Sequence, residues 1–75
     1  MAEQLLFEVA DELARESLEL YEKTGDEEIF QEVTKIIGAS SQTLEEAYKT
    51  AVRVRRAERR ALEMLAQRKA ALARE

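Results

Sequence analysis

From Thr43 to Glu75 the chain runs for 33 residues without Pro or Gly, drawn almost wholly from Ala, Leu, Glu, Arg, Lys, Met and Gln. These residue types lose least on entering a helix, so the segment is predicted to form one. As a single helix it would be about 50 Å long at 1.5 Å per residue. No element built from the residues before it is expected to match that length, so part of this helix must overhang its own chain. An all-α chain whose longest element outruns its neighbours is the frame for everything else in the sequence.

Two shorter helices precede it. Residues 2–23 place Leu6, Phe7, Val9, Ala10, Leu13, Ala14, Ser17, Leu18, Leu20 and Tyr21 on about half of a helical circumference, with Glu8, Asp11, Glu12, Arg15, Glu19, Glu22 and Lys23 on the other half. So wide an apolar face predicts contact with two neighbours. Thr24-Gly25-Asp26 ends this helix, because Gly25 can adopt the left-handed conformation of a helix stop and Asp26 can cap the helix that follows. Residues 27–37 gather Ile29, Phe30, Val33, Ile36 and Ile37 into one arc of about 120°, and Gly38 closes them. After the loop Gly38-Ala-Ser-Ser-Gln42, Thr43 and Glu46 have the spacing of a capping box for a third helix over 43–74, with Ser40 and Ser41 as alternative caps. The expectation is a single helical domain over 1–75, two shorter helices and one long C-terminal helix, completed as a bundle by oligomerisation.

Length supports that last step. A domain of 75 residues buries only about 60% of the surface its unfolded chain exposes, and small domains without disulfides often complete their core with a second copy. There is no Cys and no His. The chain therefore has no disulfide frame, no thiolate nucleophile or ligand, and none of the side chain that most often binds metal or moves protons at neutral pH. No catalytic, cofactor-binding or metal-ligating residue is assigned, and the expectation is a non-enzymatic protein. Acids at the N-terminus in place of a basic, apolar leader, and the lack of any long apolar run, predict no signal peptide and no membrane span. With the absence of Cys, this suggests a cytoplasmic setting.

Charge is divided unevenly. Residues 1–46 carry 13 acids and 3 bases, a net −10, and residues 47–75 carry 9 bases and 3 acids, a net +6. Either the halves neutralise each other, within or between copies, or the basic half meets an acidic partner. Lys49, Arg53, Arg56 and Arg60 project within about 60° of one another, and with Arg59 they form a stripe that could follow a phosphate backbone. Arg56 with Arg60, and Arg55 with Arg59, are like-charge pairs four residues apart that need a counter-charge. No aromatic residue is interleaved to stack on bases. Salt bridging to acidic helices of this or another copy is the first reading of the stripe and a solvated face the next, and nucleic-acid binding is the second reading of the function.

The apolar pattern of the long helix carries the first reading. Leu44, Ala47, Ala51, Val54, Glu58, Ala61, Leu65, Arg68 and Leu72 follow a strict 3,4 spacing, widened by Tyr48 and Leu62. This is a coiled-coil-like seam, with small residues in its first half that would let another helix approach closely. Its expected interface residues are Leu44, Ala51, Val54, Leu62, Leu65 and Leu72. Glu58, in mid-seam, would pair with an Arg of a neighbouring helix and fix register, or else lie at the bundle edge. The implied function is a protein–protein interaction module (an adaptor, a regulatory subunit or a chaperone-like partner) that associates with itself, as a homodimer or higher oligomer, or with another protein.

A third reading rests on acids. Glu12, Glu16 and Glu19 lie one turn apart, as carboxylate ligands of Mg²⁺ do in some helical bundles. Glu16-Ser17-Leu18-Glu19 resembles the first ExxE element of the helical nucleotide pyrophosphohydrolases, a resemblance that implies Mg-dependent hydrolysis. The second element of that family is ExxD, and here Glu32-Val33-Thr34-Lys35 puts a cation where the last metal ligand belongs.

Overall fold

In the computed structural model, which describes residues 2–74, the chain forms three helices: α1 (Ala2–Thr24), α2 (Glu28–Gly38) and α3 (Gln42–Arg74). There is no strand among the described residues. The local stops work as backbone chemistry dictates. Gly25 takes φ +69°, and its N–H donates 2.7 Å to the Tyr21 carbonyl, which satisfies one of the open acceptors at the end of α1. Thr24 Oγ1 then accepts the Asp26 N–H at 3.2 Å, and Asp26 Oδ1 accepts the Glu28 N–H at 3.0 Å, so Asp26 serves the first turn of α2.

The connection from α2 to α3 is tighter than the capping-box expectation. The chain stays right-handed through Ala39 (φ −64°, ψ −29°), and the N–H groups of Ser40 and Ser41 both return to the Ile37 carbonyl, at 3.1 and 2.8 Å. Ser41 is therefore already in place to cap α3. Its Oγ accepts the Leu44 N–H at 3.1 Å, and Thr43 and Glu46 fall inside the helix rather than forming its cap.

The helices run up, down and up. Phe30 and Glu27, early in α2, meet Arg56 in α3, whereas Gly38 at its end lies against Glu45. Because α2 opposes both neighbours, α1 and α3 point the same way, and their interface is the most extensive of the three. The core is small. Ala10, Ala14, Ser17 and Leu18 of α1 and Tyr48 and Val52 of α3 are the buried residues, with Leu13, Phe30, Val33, Ile37 and Ala51 packed around Ala14, Tyr48 and Val52.

Tyr48, 1% exposed, is the largest fully buried side chain. The small side chain of Ala14, buried in the same cluster, leaves room for the ring. Its hydroxyl donates to Ser17 Oγ at 2.8 Å, and Ser17 in turn donates to the Leu13 carbonyl at 2.7 Å. That chain of bonds satisfies the polar end of a ring taken wholly out of water. Fully burying Leu18 contributes roughly 1.5–3 kcal/mol.

The molecule measures 54 × 31 × 13 Å, with a radius of gyration of 15.4 Å. A compact chain of this length would have a radius near 11 Å. The excess comes from α3, whose residues Arg60–Arg74 are all exposed and extend past the other helices.

Candidate protein interface

The cations of α3 are largely engaged by the chain's own acids. Arg55 clamps Asp11 with two parallel bonds, Nε to Oδ1 at 2.8 Å and Nη2 to Oδ2 at 2.7 Å, and reaches Glu58 with Nη1 at 3.2 Å. Such bidentate geometry is the strongest form of the pair. It holds the Asp11 carboxyl below its ordinary range, against the opposing pull of burial, and raises Arg55 further still.

Arg56 inserts beside α2. Its guanidinium lies 4.4 Å over the Phe30 ring and 5.1 Å over that of Tyr21, and donates 2.8 Å to Glu27. Those two rings are themselves 5.4 Å apart and tilted by 51°. Arg59 bonds Glu22. Lys49 pairs with Glu45 at 3.0 Å and lies 3.8 Å from Glu46, and the Glu45 bond raises its pKa.

Of the expected phosphate-following stripe, Arg53 bonds only Thr50 (3.3 Å), and Arg60 has no acidic partner among the described residues. Arg56 is stacked on Phe30 of α2 and Lys49, on the α2 side, is paired with Glu45, so the stripe is not presented as one free cationic surface. The like-charge pairs Arg55 with Arg59 and Arg56 with Arg60 are relieved by Asp11, Glu22 and Glu27. The uneven division of charge along the sequence is thus matched, in good part, within one chain.

The seam has a different fate. The face of α3 turned inward is centred on Tyr48, Val52, Arg55 and Arg59, whereas the seam lies roughly 100° round the helix. Leu44 and Ala51 are half-buried at its inner edge. Val54 is 61% exposed, Leu62, Leu65 and Leu72 are exposed as well, and Glu58 is exposed on the same stripe, bonded only to Arg55 of its own helix. Within the chain, Glu58 lies at the edge of the bundle and pairs with no neighbouring helix.

Along its first half the stripe forms one wall of an open groove of 440 Å³. Ala47, Ala51 and Val54 face Leu6, Phe7 and Ala10 of α1, on the side of the α1–α3 pair away from α2. Phe7, left 62% exposed, was read from the sequence only as part of a broad apolar face. Its position against the seam depends on α1 and α3 being parallel, which no local pattern shows. The Arg55–Asp11 clamp was missed for the same reason, being a pairing across 44 residues.

The acids of the third reading lie on the outer face of α1. Glu12, Glu16 and Glu19 line a recess with Glu8, Asp11 and the cation Arg15, and Lys35 belongs to α2. Among the described residues no group of three or more acids is placed to hold a metal ion, and no helix is long and apolar enough to cross a membrane. Comparison of the chain with family models, curated proteins and solved structures finds no match.

Proposed function

We propose that the protein is a small protein–protein interaction module that docks a partner helix on the α1–α3 groove and along the stripe that continues down α3. One observation carries this reading. The best-patterned apolar stripe of the longest helix is exposed from Val54 to Leu72 and borders an open groove at Ala47 and Ala51, while a separate face of that helix holds the fold together. Exposed apolar surface that is contiguous rather than scattered is characteristic of docking sites, and an amphipathic helix laid in a groove is a common way to fill one.

The nucleic-acid reading has less support, because Arg55, Arg56 and Arg59 already meet carboxylates of this chain. The two make opposite predictions for salt. Phosphate contacts weaken steeply as salt rises, and apolar docking does not. A photo-crosslinking residue placed at Leu65 should give protein adducts that persist at high salt, whereas the same residue at Glu12 on the acidic face of α1 should give none. Adducts equal at both positions, or absent at Leu65, would refute the module.

A further inference from the structure

The open surface has two unlike halves. The first is the groove, lined by Phe7, Ala47, Ala51 and Val54 and by the acids Asp11 and Glu46, with no base in its lining. The second is the overhang of α3. It carries Leu62, Leu65 and Leu72 on the same stripe, with Arg60, Arg68, Lys69 and Arg74 against a single acid, Glu63, among the described residues, and nothing of its own chain to lie on. One half is small-residue, concave and acidic-edged. The other is leucine-bearing, projecting and basic.

Surface area indicates how much there is to bury. The chain exposes 6160 Å², where a compact monomer of its mass would expose about 4,700 Å². The excess is near 1,500 Å², and a stable interface of ordinary size takes about 800 Å² from each partner.

We infer that the occupant of the groove is a second copy of this chain, with the two α3 helices antiparallel about a two-fold axis and each overhang lying in the other copy's α1–α3 groove. The inference rests on the interaction-module reading and names its partner. Charge decides the direction. A parallel pair would set Arg68, Lys69 and Arg74 against their own counterparts and leave both acidic grooves unfilled. The antiparallel pair brings those bases to the groove edge that holds Asp11 and Glu46, and satisfies both halves at once, as an isologous interface requires.

The 3,4 spacing sets the register. Leu65 faces the second copy's Val54, Leu72 faces its Ala47, and Glu58 faces its Ala61 rather than another Glu58. The stem of Arg68 crosses Ala51 of the second copy with its head free to reach the acidic edge.

The absence of Cys makes the geometry directly readable. Sedimentation equilibrium of the wild-type chain should give the mass of two 8.6 kDa chains, and Leu65→Asp should give one, with helical circular dichroism retained because Leu65 lies outside the intramolecular core. Under mild oxidation, Val54→Cys mixed with Leu65→Cys should form the mixed disulfide. Each variant alone should not, since the two copies of either position lie 11 residues apart along the paired helices, about 16 Å, beyond disulfide reach.

A wild-type chain that sediments as a monomer up to millimolar concentration overturns the inference, and so does efficient cross-linking of Leu65→Cys with itself, which the inferred register places beyond disulfide reach. A monomer whose photo-adducts at Leu65 go to a different protein would overturn self-docking and leave the interaction module standing. A monomer with no such adducts would remove both.

Discussion

The hydrogen bond from Tyr48 to Ser17 should change sign as a stability term when its acceptor is removed. In the wild-type chain the Tyr48 hydroxyl is buried and bonded at 2.8 Å. Tyr48→Phe deletes the donor but leaves Ser17 still donating to the Leu13 carbonyl at 2.7 Å. Only an ordinary buried hydrogen bond is lost, at a cost of roughly 0.5–1.5 kcal/mol. Ser17→Ala does the opposite damage. It strands a hydroxyl in a site 1% exposed, a desolvation cost of roughly 1–3 kcal/mol, offset by about 0.5 kcal/mol because Ala is the better helix residue. In the Ser17→Ala background the hydroxyl is a liability, so adding Tyr48→Phe should restore stability rather than reduce it. Urea unfolding of the four proteins at one fixed concentration measures the cycle, fixed because self-association would add its own stabilisation. For a chain whose whole stability is of order 4–11 kcal/mol, the shifts in midpoint are readily resolved. Equal destabilisation by Tyr48→Phe in both backgrounds would refute the argument.

Gly25→Ala should destabilise by about 1–2 kcal/mol, because φ is +69° and a Cβ there meets no other atom, so the cost is purely the backbone's; thermal unfolding reads it. The Asp11 carboxyl, its pKa lowered mainly by the Arg55 bond, contributes stability that is fully present above its unfolded value near 3.8 and lost as pH falls through the lower folded value. Asp11→Asn should therefore flatten the acid limb of stability against pH below about pH 4, and an unchanged limb would discount the clamp. Arg56→Lys keeps the charge but not the planar cation over Phe30 and Tyr21, and should cost roughly 0.5–1 kcal/mol. Arg56→Lys as stable as wild type would mean the stacking contributes nothing.

The three helices were legible because their signals are local: Gly25 and Asp26 side by side, a short run of apolar residues in one arc, a long run without helix breakers. The inward face of α3 was not. Hydrophobic periodicity points to the seam of Leu44, Val54, Leu65 and Leu72, yet the chain packs on the neighbouring face, where Tyr48 and Val52 are joined by arginines whose stems lie along the protein and whose heads find Asp11 and Glu22. Apolar pattern alone gives Arg55 and Arg59 no credit for that. The surplus of acids before residue 47 and of bases after it implied pairing, but the partners are set by the parallel placement of α1 and α3. Ser17 was placed on the apolar arc of α1, and only the fold makes it the acceptor for Tyr48.

That division of α3 into two faces makes folding and docking separable. The inward face joins α3 to α1 and α2 through one buried aromatic ring, a few small residues and ion pairs whose members stay partly exposed, and exposed pairs contribute at most about 1 kcal/mol each. A fold held so lightly would not tolerate losing Tyr48 or Val52. The stripe contributes almost nothing within the chain, since Val54, Leu62, Leu65 and Leu72 are all exposed, so it is free to be shaped by whatever it binds. Substitutions on the first face should register as loss of helix and lower melting, and substitutions on the second as loss of association with helix intact. Any occupant of the stripe also stabilises the folded chain by mass action, since the unfolded chain offers it no groove. On the proposed function, the long helix is thus both the main scaffold of a small domain and the surface on which a partner would dock.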